Sequence, residues 1–359
     1  MHFLFGAGGT GGHLYPALAV AGELMKIVPE CKITFAGRVD KIEGTKVPAF
    51  GYEFLPVDIE GLSFKPNPAT LQNFVKLFKA RNKVYNFIKQ NKCSAVIVAG
   101  AYISIPPGFA AAKSKTPLFL MESNVNPGKA ISLLTARSKA VFTSFEDSAK
   151  YFPQKWRKKI FFTGNPVRQD FLLPINKKDA KNKIGINPDK KTILIFGGSL
   201  GAKSINEFVA ANLDNLSRIN ADIIWQTGGN FEFSDNIPDN IHQHNYIDDM
   251  SLYYSAADLI VCRSGASTVS ELTLTGKPSV LVPLPSASNN EQLRNAEIMA
   301  RIGASELVLN NELNSKLLSI VNELVADENK LLRMSESAGE LAKPDAAKDV
   351  ANKILEMIG

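Results

Sequence analysis

Cysteine is scarce in this chain of 359 residues, which contains Cys31, Cys93 and Cys262. None of the three belongs to a C-x-x-C pair, and each lies beside an apolar, strand-like run, where a buried reduced thiol is expected. We therefore expect a reducing compartment, the cytoplasm, and no structural zinc.

Long apolar runs and a leader pattern are also missing. No stretch approaches the roughly 18 apolar residues that a membrane-spanning helix needs. Met1 is followed directly by a strand-like run and a glycine-rich loop, without the regions of a signal peptide. Neither secretion nor membrane crossing is expected. The net charge of +6 and the pI of about 9.0 indicate a polyanionic partner, which could be nucleic acid, an anionic membrane or a phosphorylated substrate.

Short apolar runs alternate with amphipathic stretches, as in parallel sheets covered by helices on both faces, so the predicted fold class is α/β. The length suits two domains, and HFLFGAGGTGGH near the N-terminus recurs in outline as TILIFGGSLGAK about 190 residues later. We place the domain boundary near residues 165–170. The predicted strands span residues 2–5, 33–36, 95–99, 118–121, 140–143, 160–163, 192–196, 222–226, 259–262 and 279–282.

The first glycine-rich loop satisfies G-x-G-x-x-G with Gly6, Gly8 and Gly11. A glycine loop that opens a helix presents N–H groups and a positive dipole end to a phosphate. NAD binding is disfavoured because the second strand lacks the acidic residue that would bind the ribose. His13 follows this loop, and we expect it either to be solvated at the helix end or to act as a general base.

Two further helix starts follow strands in the second half. GGSLG at residues 197–201 precedes Ser204 and Glu207, and Thr268 and Glu271 follow Cys262; both pairs have capping-box spacing. Two helix N-termini on one sheet would cradle a diphosphate, and Glu271 could instead bind a ribose. The Asp-x-Asp metal clamp is absent from the sequence, so no metal and no cofactor are expected.

One segment, residues 68–90, combines bulky apolar residues with an entirely basic polar face. This composition suits either a core-facing helix with a solvated face or an interfacial helix on anionic lipid. Nucleic acid is disfavoured because zinc-finger spacing, paired aromatic strands and a basic tail are all absent. The membrane-contacting residues in the second interpretation are Leu71, Phe74, Lys76, Phe78, Lys79 and Lys83.

Taken together, the chain resembles the MurG family of peptidoglycan N-acetylglucosaminyltransferases along its whole length. The motifs are GGTGGH (8–13), GNPVR (164–168), GGSLGA (197–202), YIDDM (246–250), CRSGASTVSE (262–271) and NNEQLRNA (289–296). Two positions depart from the family pattern: Met121 replaces the His of a His-Glu-x-Asn run, and the segment 100–104 lacks the usual paired glycines.

The resemblance implies the GT-B architecture, two Rossmann-like domains with parallel sheets facing across a cleft. It implies inverting transfer of N-acetylglucosamine from UDP-GlcNAc to the MurNAc 4-hydroxyl of undecaprenyl-pyrophosphoryl-MurNAc-pentapeptide, at the cytoplasmic face of the inner membrane. Residues 1–165 would form the acceptor and membrane-binding domain, and residues 166–340 would form the UDP-GlcNAc-binding domain. A C-terminal helix in residues 341–359 would pack near the N-terminal domain.

The resemblance also implies site residues. His13 and Glu271 would be catalytic, with His13 as the base. The substrate-binding residues would be Thr10, Gly11, Gly12, Asn124, Arg168, Ser199, Ile247, Ala266, Ser267, Thr268, Val269, Ser270, Glu271 and Gln292. The alternatives are a related glycosyltransferase with another lipid acceptor, a UDP-GlcNAc 2-epimerase, and a non-catalytic membrane-docked nucleotide sensor.

Overall fold

The computed structural model describes residues 1–60, 68–173, 175–229, 231, 236–287 and 290–359, without the side chains of residues 68–72. The chain forms two compact units. Unit 1 comprises residues 1–168 and 343–359, and unit 2 comprises residues 169–342.

The described strands of unit 1 form a parallel sheet in the order β3-β2-β1-β4-β5-β6-β7. The order reverses direction beside β1, so the loops after β1 and β4 meet at the carboxyl edge of the sheet, where α/β folds bind ligands. The strands are β1 (His2–Gly6), β2 (Lys32–Gly37), β3 (Glu53–Pro56), β4 (Ala95–Val98), β5 (Leu118–Glu122), β6 (Ala140–Thr143) and β7 (Ile160–Phe162).

Helices cover both faces of this sheet. The helices are α1 (Gly11–Ile27), α2 (Ile42–Ala49), α3 (Pro68–Gln90), α4 (Ile105–Ser114), α5 (Lys129–Leu134) and α14 (Ala346–Ile358). One face is buried by a cluster that includes Leu14 and Leu24 of α1 and Ile354 of α14. The other face is buried by a cluster that includes Val84 of α3 and Leu134 of α5. The end of the chain is thus part of unit 1.

Unit 2 repeats this plan, with its described strands in the order β10-β9-β8-β11-β12-β13 and all pairs parallel. Here the strand order reverses direction beside β8, so the loops after β8 and β11 are neighbours at the carboxyl edge of the sheet. The strands are β8 (Lys191–Phe196), β9 (Ala221–Gln226), β10 (Ile241–His244), β11 (Leu259–Cys262), β12 (Ser279–Leu281) and β13 (Ser305–Leu307). The helices are α6 (Lys177–Lys183), α7 (Lys203–Ala211), α8 (Leu213–Ser217), α9 (Met250–Ala256), α10 (Ala266–Leu274), α11 (Glu291–Arg301), α12 (Leu318–Ala326) and α13 (Glu328–Glu340).

The α/β prediction with two Rossmann-like units is confirmed, and each predicted strand overlaps an observed one. The sequence patterns missed β3, β10 and β13. All three lie at sheet edges, where only part of a strand needs to be apolar, and β10 reads Ile-His-Gln-His.

Helix α3 shows features of both interpretations of its sequence. Its second half packs into the core through Ala80, Val84 and Ile88, whereas Phe74 and Phe78 in its first half are 39% and 53% exposed. None of the described helices is long and apolar enough to cross a membrane. Cys31, Cys93 and Cys262 are free and buried, as predicted.

Candidate active site

The first glycine loop joins β1 to α1 in unit 1. Gly8 and Gly9 have positive φ angles of 153° and 80°, so the backbone follows a path that side chains with a Cβ rarely allow. Thr10 then adopts an extended conformation, and its carbonyl accepts hydrogen bonds from the N–H groups of His13 and Leu14. This geometry fixes Thr10, Gly11, Gly12 and His13 at the carboxyl edge of the sheet.

His13 is half-buried on the first turn of α1. Its Nδ1 lies 3.0 Å from the Thr10 hydroxyl, and a Cβ added at Gly100 would lie 3.1 Å from its Nε2. Burial lowers the pKa of His13 to about 4, so the imidazole is neutral at pH 7. In the tautomer in which Nδ1–H donates to Thr10, Nε2 carries the lone pair of a base.

The loop after β4 lies beside His13. Gly100 and Ala101 both have positive φ, and Ala101 combines φ 55° with ψ 175°, a region that is essentially restricted to glycine. The Ser104 hydroxyl donates to the Gly100 carbonyl and so holds the turn. The sequence departs from the family's paired glycines at this turn, and the backbone there keeps a glycine-like conformation despite the alanine.

The end of β5 brings a buried carboxylate to the same edge. Glu122 accepts hydrogen bonds from the backbone N–H groups of Asn124 and Gly128, at 2.9 and 2.7 Å. The Asn124 carbonyl accepts from the Ser148 hydroxyl. Met121, which replaces the family's His, is buried in the core. Sequence reasoning did not select Glu122, although its signal was available as a carboxylate that ends an apolar strand.

Arg168 is the last residue of the first chain segment of unit 1. Its guanidinium lies over the Tyr15 ring of α1, 5.1 Å from the ring centroid. This cation–π contact places it near the first turns of α1. Structure therefore brings Thr10, His13 and Arg168 to one helix start, within unit 1.

In unit 2 the second glycine loop, residues 197–201, joins β8 to α7. Gly198 and Gly201 have φ angles of 98° and 75°, and a Cβ at Gly201 would overlap the Thr227 carbonyl. The Gln226 carboxamide donates to the Gly198 carbonyl at 3.1 Å and accepts from the Ile247 N–H at 3.0 Å. Gln226 therefore links this loop to Ile247, and Ser199 is exposed at the tip of the loop.

The loop after β11 is tied to α7 by a buried cation. The Arg263 guanidinium donates to the carbonyls of Val282 and Pro283, each at 3.0 Å, and to Ser204 and Asn310 at 2.8 and 3.0 Å. Burial lowers the pKa of Arg263. A cavity of about 400 Å³ opens beside this cation, lined by Gly197, Gly201, Ala202, Lys203, Ser204, Glu207, Arg263, Leu284, Pro285, Gln292 and Asn310.

The capping box predicted at Ser204 and Glu207 is wrong, and the capping alternative for Thr268 and Glu271 is not borne out. Helix α7 begins at Lys203 and α10 at Ala266, and neither has a side-chain cap. Ser204 instead contacts Arg263 and Asn310. Glu271 lies 3.4 Å from the Tyr254 hydroxyl, which donates to its carboxylate, so capping does not explain this carboxylate. The sequence-predicted residues 266–271 form the first turns of α10, next to Tyr254.

Gln292, on α11, is held from two sides. Its side-chain oxygen accepts a hydrogen bond from the Leu284 N–H at 3.0 Å, and its backbone carbonyl accepts one from the Ser264 hydroxyl at 2.8 Å. It lines the cavity with the second glycine loop. In the part of the chain that the structure describes, no group of three His, Cys, Asp or Glu side chains is arranged to hold a metal ion.

Comparison with known proteins shows the family to which this chain belongs. Residues 3–143 match the glycosyltransferase family 28 N-terminal domain, and residues 192–350 match its C-terminal domain. The UDP-N-acetylglucosamine--N-acetylmuramyl-(pentapeptide) pyrophosphoryl-undecaprenol N-acetylglucosamine transferase of Flavobacterium psychrophilum is 36% identical, over 99% of this chain and 97% of that protein. The chain belongs to the MurG family of glycosyltransferases. The Chlorobium limicola protein of the same name is 35% identical over 99% of both chains.

Solved structures agree with the MurG assignment. The crystal structure of Acinetobacter baumannii MurG has a TM-score of 0.76, 28% identity and coverage of 99% of both chains. The UDP-GlcNAc 2-epimerase from Neisseria meningitidis, bound to UDP-GlcNAc, has a TM-score of 0.70 at 16% identity, a likeness that shows the fold alone. The family predicted from the motifs is thus confirmed, and the epimerase alternative is not favoured.

Proposed function

We propose that this chain transfers N-acetylglucosamine from UDP-GlcNAc to the 4-hydroxyl of the MurNAc sugar on undecaprenyl-pyrophosphoryl-MurNAc-pentapeptide, with inversion at the anomeric carbon. The observation that carries the proposal is similarity over 99% of the chain to relatives named for this transfer. No feature of the described residues favours an epimerase or a sensor over a transferase.

Unit 2 would bind the donor. The cavity beside the second glycine loop has the size of a small-ligand site and is lined by the buried Arg263 and by Gln292. Glu271 would accept the ribose hydroxyls, Ile247 would contact uracil through its backbone, and Gln292 would contact the sugar. Ser199 and the N–H groups at the starts of α7 and α10 would bind the diphosphate, because helix N-termini attract anions.

Unit 1 would activate the acceptor. His13 is neutral at pH 7 because burial lowers its pKa to about 4, so it could accept the proton of the attacking hydroxyl. Thr10 orients the ring through Nδ1. The departing UDP would be stabilised by backbone dipoles rather than by a metal clamp. Thr10, Gly11, Gly12 and Arg168 would contact the donor near His13, and Asn124 would complete the substrate-binding residues of unit 1.

The test is mass spectrometry of the product after mixing the purified chain, UDP-GlcNAc and a short-chain lipid acceptor. We expect an added N-acetylhexosamine in the presence of EDTA, and protection against thermal unfolding by UDP but not by NAD or ATP. A diacylglycerol acceptor serves as the control and should not react. Release of free UDP with epimerised sugar, or equal protection by NAD, would overturn the proposal.

We also propose that the chain docks on anionic lipid through the start of α3, at the cytoplasmic face of the inner membrane. Phe74, Val75 and Phe78 are exposed there, and Arg81 lies over the Phe78 ring. Lys79 extends the basic face. Lys76 is paired with Glu60 and Asp58, and Lys83 donates to the Pro56 carbonyl. The side chain of Leu71 lies outside the described residues.

Replacing Phe74 and Phe78 together with Ser should release the protein from anionic vesicles. Each basic residue near an anionic surface contributes on the order of 1 kcal/mol, so salt should weaken binding by the parent chain. Activity on a water-soluble acceptor analogue should persist. Leu332, exposed on α13 of unit 2, offers the control Leu332→Ser. Retention of the folded double variant on vesicles would exclude this docking segment.

A further inference from the structure

A buried carboxylate lies directly beneath the first glycine loop. Glu43, near the start of α2, is 0% exposed. One of its oxygens accepts a hydrogen bond from the Gly9 N–H at 2.9 Å, and the other accepts from the Arg38 N–H at 3.1 Å. The Arg38 guanidinium itself points to Asp40 and the Ile59 carbonyl. Glu43 therefore fastens the loop after β1 to the end of β2 through the backbone.

Two glycines make room for this carboxylate. A Cβ added at Gly8 would overlap the Glu43 carboxylate, and one added at Gly37 would lie 2.5 Å from Glu43 Cγ. In the dinucleotide-binding version of the G-x-G-x-x-G loop, the second glycine lets a pyrophosphate approach the backbone. Here the absence of a side chain at Gly8 is explained by the protein's own carboxylate.

We infer that Glu43 is a positioning residue, which orders the loop that carries Thr10 and His13 and places a negative charge beneath it. Because the Gly9 N–H already donates to Glu43, this N–H is not available to a phosphate bound on the same loop. The ordered loop then holds His13 in place for proton transfer, and the diphosphate of the donor has its proposed contacts in unit 2. This inference rests on the proposed function for the reaction it serves.

Because two backbone N–H groups donate to the side chain at position 43, that side chain must offer two acceptor atoms. A glutamine in the same place has one oxygen, so its NH₂ group would face either the Gly9 or the Arg38 N–H and leave that buried donor without an acceptor. The loop should then lose order while α2 and the sheet keep their packing. Because a displacement of about 1 Å at a reacting group can reduce the rate on the order of 100-fold, the effect should appear in turnover.

The test compares Glu43→Gln with the parent chain in full length, at a temperature well below unfolding. Amide hydrogen exchange should accelerate at least tenfold at Gly9 or Arg38, and remain unchanged at Ile97 in β4. The kcat should fall by roughly 10- to 100-fold, whereas the Kd of UDP should stay within about twofold because its proposed contacts to uracil, ribose and diphosphate lie in unit 2. A purely structural role would instead lower the thermal midpoint and leave kcat intact.

The matched control is Glu53→Gln, which removes the charge from a carboxylate of β3 that accepts from Thr34 and should alter neither kcat nor exchange at Gly9. If Glu43→Gln does not fold, Glu43→Asp keeps the charge and shortens the side chain, and the same changes are expected. Unchanged exchange at Gly9 together with unchanged kcat would overturn the inference. Exchange needs no substrate, so fast exchange at Gly9 in a chain without transferase activity would support the ordering role and refute only the proposed function.

Discussion

The two glycine loops follow the same local plan, but groups of opposite charge are buried beside them. The loop at residues 8–12 lies on the buried carboxylate of Glu43. The loop at residues 197–201 is held by the neutral Gln226 carboxamide, and the guanidinium of Arg263 is buried beside the adjoining start of α7. Each loop joins the first strand of its unit to a helix, so the chain pattern alone makes them look interchangeable.

This difference fits the proposed assignment of the acceptor to unit 1 and of the donor to unit 2. A buried cation beside a glycine loop favours a diphosphate, and a buried anion beneath one disfavours it. The strand, loop and helix supply the helix dipole in both units, while residues from elsewhere in the chain decide the sign of the added charge. The comparison can be tested with variants that remove the imidazole beside the first loop or place a negative charge beneath the second loop.

The largest expected effect comes from replacing His13, the proposed base in unit 1. His13→Asn keeps a nitrogen that can donate to Thr10 but removes the proton acceptor, so kcat should fall on the order of 10²- to 10⁴-fold. UDP binding should be unchanged. His2→Asn, a substitution of another histidine whose pKa is lowered by burial, is the matched control and should retain activity. A His13→Asn chain with full turnover would assign the base to another residue, with Glu122 the next to test.

The pH dependence of stability checks the same ring. Its pKa is lowered from 6.5 to about 4, so between these values the unfolded chain binds a proton that the native chain does not. The free energy of unfolding should therefore fall as the pH decreases from 6.5 to about 4. His13→Asn should remove this part of the slope in urea titrations at pH 7, 5.5 and 4. An identical slope in parent and variant would contradict the lowered pKa of His13.

Next in size is the loss of a charged contact in unit 2. Glu271→Gln should weaken UDP binding by about 10- to 100-fold, since a hydrogen bond to a charged group contributes roughly 1.5–3 kcal/mol. Tyr254→Phe, which removes the hydroxyl that donates to Glu271, should have a smaller effect. Calorimetric titration with UDP measures both. Unchanged UDP affinity in Glu271→Gln would remove this carboxylate from the donor site.

Some of this site could be predicted from sequence. His13 and Glu271 stand at helix starts after apolar strands, and that local pattern fixed their places at the sheet edge. Glu43 and Gln226 could not be selected, because their roles depend on contacts made by other segments: Glu43 acts on Gly9, and Gln226 acts on Gly198 and Ile247.

The capping-box error has the same origin. The spacing of Ser204 and Glu207 fits a cap, but Arg263 and Asn310 contact the Ser204 hydroxyl from distant parts of the sequence. The edge strands β3, β10 and β13 were missed for a related reason: each has a sheet neighbour on one side alone, so fewer of its side chains need to be apolar. Local patterns therefore located the central strands and the edge strand β7, and left the tertiary contacts undetermined.

A smaller effect is expected from placing an anion beneath the second loop. Gln226→Glu could still accept from the Ile247 N–H but could no longer donate to the Gly198 carbonyl, and its charge would repel a diphosphate. UDP affinity should fall by roughly tenfold, a loss of about 1.4 kcal/mol. Gln226→Met, which removes both hydrogen bonds without adding charge, separates the two causes. Equal losses in the two variants would show that the charge beneath a glycine loop does not govern anion binding.

The smallest effect concerns the turn beside His13. Ala101 holds φ 55° and ψ 175°, a conformation that costs a non-glycine residue about 1–3 kcal/mol, whereas glycine pays about 0.5–1 kcal/mol in backbone entropy. Ala101→Gly should therefore stabilise unit 1 by about 1 kcal/mol and raise its thermal midpoint by about 2–4 °C. Ala112→Gly, within α4, is the matched control and should lower the midpoint, since glycine destabilises a helix interior. If Ala101→Gly also lowered the midpoint, the alanine would be unstrained, and the turn beside His13 would not favour glycine.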